Sequence, residues 1–170
     1  TPAMGIHPRV EHGSHLITAT AAALCRQDVY DTFLDRLDAH GLDPGTLVLD
    51  DRWQAEYGTA EPDRQHWPDL RGWIARQHQA GRRVLLWWKA WDPEGAPARA
   101  CVRTPDGTPV AVDPESPLGA RVVTDAVEHM IDDLDADGLK IDFLARTPSG
   151  TALVIDASQS AGAMPLDLGV

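Results

Sequence analysis

The sequence predicts an α/β protein made of parallel β/α units. Short apolar, strand-like runs alternate with amphipathic, helix-like segments, the order that builds a parallel sheet with right-handed crossovers. The helix-like segments carry start and stop residues where their periodicity begins and ends. Three successive strand-like runs end in acidic or aromatic residues, and ligands bind at that end of the strands in such sheets.

Leu16, Ile17 and Thr18 are a first short strand candidate. Residues 28–40 predict a helix with Val29, Phe33, Leu34 and Leu37 on its inner face and Gly41 as its stop. Thr46–Leu49 is a buried strand ending in Asp50 and Asp51. Residues 68–80 predict a second helix: Pro68 suits a first turn, Leu70, Trp73 and Ile74 face inward, and Gly81 ends it. Arg83–Trp88 is the next strand. In the long connection that follows, residues 89–115, the turn signal Pro105-Asp106-Gly107-Thr108 predicts a hairpin over 100–112. Ser116 then caps a helix opened by Pro117, with Leu118, Val122, Ala126, Met130 and Leu134 recurring down one side. Leu139-Lys140-Ile141-Asp142-Phe143 closes the series as a strand. The acidic run over residues 132–137 lacks the spacing and glycine of a calcium loop and reads as a solvated helix end.

At 170 residues the chain is long enough to bury a core and is expected to form one main domain. A net charge of −11 argues against nucleic acid and anionic membrane surfaces as main partners and leaves neutral or cationic small molecules open. No apolar run approaches the roughly 18 residues of a membrane span. Cys25 and Cys101 are too few for a disulfide framework or a structural zinc. They are expected to be free thiols in a reducing, cytoplasmic setting, although a secreted protein freed of its leader would read alike. The first fifteen residues show no leader of their own. The histidines show no metal-ligand spacing, and no metal is expected.

The strand ends carry the chemistry. Asp142 places a carboxylate on the sheet rim, and Lys140, two residues earlier, points to the same side and favours its ionised, nucleophilic form. Asp50 and Asp51 offer acceptors for hydroxyls, and Trp53 a flat apolar face. Trp87, Trp88, Lys89 and Trp91 repeat that theme and add a cation. Three of the six tryptophans fall within residues 87–91, which suits stacking on a sugar ring, and no Gly-rich phosphate loop is present.

Taken in order, Asp50-Asp51-Arg52-Trp53, the segment from Trp67 to Ile74 with His78 and Gly81, Leu85-Leu86-Trp87-Trp88, Val112-Asp113-Pro114 and Leu139-Lys140-Ile141-Asp142-Phe143 resemble the retaining α-galactosidase and α-glucosidase superfamily. The resemblance covers about residues 15–150 and implies the melibiase-like (β/α)8, TIM-type barrel of those glycoside hydrolases. It implies that Asp142 attacks the anomeric carbon of a neutral α-linked sugar to give a glycosyl-enzyme. Asp50 and Asp51 would bind sugar hydroxyls, Lys140 would hold a hydroxyl and tune Asp142, and Trp53 and Trp88 would wall the pocket. Trp67 and Trp73 are expected in the core.

Retaining chemistry also needs a second carboxylate about 5 to 5.5 Å from the nucleophile. The resemblance places it on about the sixth strand, and no residue here matches it. The expectation is therefore the N-terminal half of a barrel over residues 1–150, truncated or chimeric, with little glycosidase turnover of its own. Residues 151–170 form an extra strand and tail of different character. Ala152-Leu153-Val154-Ile155-Asp156-Ala157-Ser158-Gln159 is similar to the cofactor strand of class V aminotransferases and cysteine desulfurases. That likeness implies Asp156 on a pyridinium nitrogen and Gln159 on a ring hydroxyl of pyridoxal phosphate. The lysine that would hold the cofactor is missing downstream, so the favoured reading is a fifth parallel strand with Asp156 at its rim and no cofactor. A different class of function also fits: a non-catalytic or engineered sugar-binding scaffold that forms a homodimer through its open sheet edges.

Overall fold

The structure is a computed structural model that describes residues 24–143. The expected strand at Leu16, Ile17 and Thr18 and everything expected of residues 151–170 lie outside the described residues. Helix α1 spans Gln27–Ala39 and leads to strand β1, Thr46–Leu49. Helix α2, Leu70–Gln79, leads to strand β2, Arg83–Trp88. A small antiparallel hairpin of β3, Cys101–Arg103, and β4, Pro109–Val112, interrupts the alternation. Helix α3, Pro117–Glu128, then leads to strand β5, Gly138–Ile141. Strands β1, β2 and β5 form one parallel sheet in that order, with β2 in the middle. The α/β character and the parallel strands follow the sequence reading.

Helix α1 buries Tyr30, Leu34 and Leu37, whereas Val29 is only half-buried. Leu34 and Leu37 are thus inside as predicted, Phe33 packs partly buried against the core, and Tyr30 joins them, its hydroxyl donating to the Val48 carbonyl at 2.8 Å and tying the helix to β1. Gly41 follows the helix at φ +67°, the left-handed conformation that glycine adopts without strain. Helix α2 starts later than predicted. Pro68 stands ahead of it, and Asp69 is the cap, its carboxylate accepting the Gly72 N–H at 3.0 Å. Leu70, Trp73 and Ile74 are buried as expected.

Ser116 caps α3 as predicted, with Oγ accepting the Gly119 N–H at 2.9 Å. Gly119 is also where α3 meets the hairpin: a Cβ there would collide with the Asp113 and Ala100 carbonyls. The apolar stripe of α3 depends on a π turn, His129–Asp133, that the sequence does not announce. Four-residue steps overshoot a 3.6-residue turn, so a stripe spaced by four drifts around an α-helix. The wider turn, closed by the Leu134 N–H to the His129 carbonyl at 2.9 Å, opposes that drift and keeps Met130 and Leu134 inside. Replacing Ser116 by alanine is expected to cost about 1 kcal/mol, read as a lower urea midpoint with unchanged slope.

The core is rich in aromatic rings. Trp67 and Trp73 are fully buried, as expected, and meet Tyr30 edge-on at 5.5 and 6.1 Å between centroids and each other at 5.3 Å. Their indole N–H groups donate to the Cys25 carbonyl at 2.9 Å and to Asp31 at 2.7 Å. The acidic run ahead of β5 is exposed at Asp132, Asp133, Asp135 and Asp137, as predicted. Asp137 accepts the Val84 N–H at 2.7 Å and lies 2.8 Å from His78 Nε2, which fixes the entry to the strand. Both cysteines are free. Burial pushes the Cys25 thiol up to about 12, with the Asp50 charge adding to the effect. Cys25 is therefore expected to resist iodoacetamide at neutral pH in the folded protein while Cys101, which is partly exposed, is slowly alkylated; peptide mapping distinguishes the two. No helix among the described residues is long and apolar enough to cross a membrane.

Candidate functional site

The C-terminal ends of β1, β2 and β5 converge on one cluster of polar side chains. Register explains why. Thr46 pairs with Arg83 and Leu49 with Leu86, so Asp50, one residue on, stands level with Trp87, which itself pairs with Lys140. Asp50, Trp87 and Lys140 form a row across the sheet. Side chains alternate along a strand, so Asp142 rises on the side of Lys140, two residues further along β5.

Asp142 is half-buried and gripped at both oxygens. Oδ1 accepts the Phe143 N–H at 2.8 Å and Oδ2 the Trp87 indole N–H at 3.1 Å. Its own N–H continues the β2–β5 ladder by donating to the Trp88 carbonyl at 2.9 Å. The Phe143 N–H and then the Trp87 indole hold its carboxyl below the ordinary 3.8, against an opposing effect of burial that is smaller than either but larger than the help from the Lys140 charge. An ionised carboxylate is thus favoured, as expected, but the cation two residues away contributes least.

Lys140 is committed elsewhere. Its ammonium donates to Asp50 Oδ2 at 2.7 Å across the middle strand. Asp50 is buried, and its Oδ1 accepts the Asp51 N–H at 2.8 Å. Asp51 is more open, and its Oδ1 accepts the Tyr57 hydroxyl at 2.6 Å. The two neighbouring aspartates therefore differ in kind: Asp50 is an ion-pair partner within the sheet, and Asp51 faces the β1–α2 loop.

The aromatic residues divide in the same way. Trp53 is fully buried, and its indole donates to the Trp87 carbonyl at 2.7 Å, so it has no face to offer a sugar. Trp88 is buried on the side of the strand opposite Trp87. Trp91 is half-buried against the core, and its indole N–H is buried without a hydrogen-bond partner among the described residues. Lys89 is paired with Asp92 at 2.5 Å, and its ammonium lies 4.6 Å from the Tyr57 ring centroid and 5.0 Å from that of Phe143. Asp156 and Gln159 lie outside the described residues. Among the described residues no group of three or more His, Cys, Asp or Glu is placed to hold a metal.

Sequence reasoning counted Trp87 among the rim aromatics without giving it a role of its own, and missed Tyr57 and Phe143 as parts of the cluster. Trp87 was available as one of two adjacent tryptophans, but which of them shares a face with Asp142 depends on strand register. Tyr57 sits in a loop with no periodicity to mark it. It is wedged between Trp87, 5.5 Å away between centroids, and the Arg52 guanidinium, 3.9 Å from its centroid. Arg52 in turn pairs with Glu94 at 2.9 Å, joining the loops that follow β1 and β2. Tyr57 next to the Asp51 carboxylate is desolvated enough for its hydroxyl to be pushed up to about 12, and it stays a donor at any neutral pH.

No protein-family model matches the sequence, and no curated protein does so either. Solved structures do match. One is the cycloalternan-degrading enzyme from Trueperella pyogenes in complex with a covalent intermediate, with 24% identity and a TM-score of 0.53 over 69% of this chain and 22% of that one. The same enzyme in complex with isomaltose matches at 24% identity and a TM-score of 0.53, over 69% of this chain and 23% of that one. A GH31 α-xylosidase from a soil metagenome, complexed with xylose, matches at 17% identity and a TM-score of 0.61, over 74% of this chain and 21% of that one. The chain thus spans between a fifth and a quarter of these proteins. At such identities the likeness is one of fold: the chain shares the arrangement of its strands and helices with part of these glycoside hydrolases.

Proposed function

We propose that the chain carries the nucleophile-bearing part of a retaining α-glycosidase site, with Asp142 as the nucleophile. One observation carries the reading: Asp142 stands at the C-terminal end of a parallel strand with both oxygens held by donors that favour its charged form. A double displacement needs such a carboxylate at neutral pH. The fold shared with a glycoside hydrolase solved with a covalent intermediate supports it. Asp51, open and already accepting one hydroxyl, is the better candidate for a sugar hydroxyl, while Asp50 and Lys140 support the site from within the sheet.

The substrate in this reading is a neutral α-linked sugar. Isomaltose and xylose in the matched structures favour α-glucosides and α-xylosides alongside the α-galactosides that the sequence motifs suggest. Asp50, Asp92 and Glu94 are each held by a cation among the described residues, so this reading gives none of them the general acid's role. An aryl α-glycoside with a good leaving group bypasses that need. The expected result is a burst of released phenolate without sustained turnover, and a burst that persists in Asp142→Ala would remove Asp142 from the nucleophile's role.

A further inference from the structure

Phe143 poses a physical question that the nucleophile reading does not answer. It is one of four non-glycine residues with positive φ among the described residues, at +57°. A left-handed backbone costs an L-residue with a bulky side chain about 1 to 2 kcal/mol, which glycine would avoid. Core burial does not explain the choice, since Phe143 is 47% exposed. Strain of this kind is kept where it positions something.

What it positions is next to it. The peptide that joins the two residues points the Phe143 N–H back onto Asp142 Oδ1 at 2.8 Å, and the left-handed φ sets where the Phe143 ring lies relative to that peptide. The ring is also occupied: it meets Trp87 edge-on at 6.2 Å and 81°, and Trp87 is the donor to the other oxygen of the same carboxylate. The ring also lies 5.0 Å from the Lys89 ammonium, which Asp92 holds at 2.5 Å. The two donors that grip Asp142 therefore belong to two aromatic residues packed on each other, and a fixed cation anchors the exposed one.

We propose that Phe143 is a positioning residue for Asp142, held in its left-handed conformation by Lys89 against Trp87 so that the carboxylate presents one fixed orientation. The inference deepens the nucleophile reading and rests on it for its purpose, but not for its geometry. Lys89 acts on Asp142 through the ring: the groups that set the Asp142 charge directly are Phe143, Trp87 and Lys140.

The test is a double-variant cycle on the whole chain, read by NMR titration of the Asp142 carboxylate without substrate. Lys89→Met should raise the Asp142 midpoint toward the ordinary carboxylate value, and Lys89→Arg, which keeps the cation over the ring, should restore it. Phe143→Gly keeps the N–H and tolerates the conformation but loses the ring, so it should raise the midpoint as well. In the Phe143→Gly background, Lys89→Met should then add nothing. A Lys89 effect of full size in that background would mean direct electrostatics and overturn the proposal, as would midpoints unmoved in both single variants. Circular dichroism and urea midpoints confirm that each variant is folded. The rate of adduct formation with an activated α-glycosyl fluoride should fall on the order of tenfold in Lys89→Met at neutral pH. Adduct formation at Asp142 with unmoved midpoints refutes the positioning role alone. Moved midpoints in a protein that forms no adduct retain the positioning role and refute the nucleophile reading.

Discussion

Asp142→Asn should abolish covalent labelling by an α-glycosyl fluoride whose ring carries a second fluorine to slow release of the sugar. In the unaltered protein, intact-mass spectrometry should find one glycosyl adduct, and peptide mapping should place it on Asp142. Asparagine has nearly the same shape and keeps one oxygen to accept from Phe143 or Trp87, so the strand end should survive. It has no charge to attack an anomeric carbon. The expected loss is at least a thousandfold, about 4 kcal/mol of transition-state stabilisation. The pH dependence sharpens the test. The carboxyl is held below 3.8, so labelling should stay flat from neutral pH down past that value for as long as the protein is folded. A lowered folded-state value also means that Asp142 contributes stability above the unfolded carboxylate value, which is lost as pH falls through the folded one. The asparagine variant should lack that contribution and show a shallower loss of stability below pH 4. Equal labelling in the variant, or an adduct mapped to Asp51, would end the assignment.

How much of this was legible beforehand varies with the distance over which each contact acts. The alternation of strands and helices, the Ser116 cap, the hairpin around Gly107 and the burial of Trp67 and Trp73 follow from local chemistry and apolar periodicity, and they read directly. Pro68 misled because proline and aspartate both suit a helix start, and the Asp69 carboxylate has the reach to the Gly72 N–H. The site divides along the same line. That Asp142 and Lys140 share a side of one strand is a matter of period two and needed no structure. That Lys140 would turn to Asp50, ninety residues away, depends on which strands neighbour β2 and in what register. The choice of Trp87 over Trp88 turns on the same register: a one-residue slip exchanges the two faces. The Phe143 conformation carried no signal at all, because a phenylalanine at a strand end gives no reason to expect positive φ.

Lys140→Met tests whether the row across the sheet supports the site or merely decorates it. Asp50 is nearly enclosed, with a side-chain exposure of 9%, and its charge is balanced by one ammonium and one backbone N–H. Removing the ammonium leaves a buried carboxylate with the Asp51 N–H as its remaining donor among the described residues, and breaking a buried pair from one side costs about 3 to 5 kcal/mol. Lys140 is itself 36% exposed, so water can reach part of the vacated space and the expected loss is at the lower end, about 3 kcal/mol. The urea midpoint should fall with the slope unchanged. Asp50→Leu/Lys140→Met removes both charges and should recover more than half of that loss, since a well-packed apolar pair avoids the desolvation that the ion pair must overcome. If the two single losses simply add, the pair is uncoupled and its 2.7 Å contact contributes nothing to stability. Labelling separates support from chemistry. Lys140 has the smallest share in holding Asp142 ionised, so adduct formation in the refolded double variant should fall far less than in Asp142→Asn. A loss as deep as that of the asparagine variant would instead put Lys140 or Asp50 in contact with the sugar.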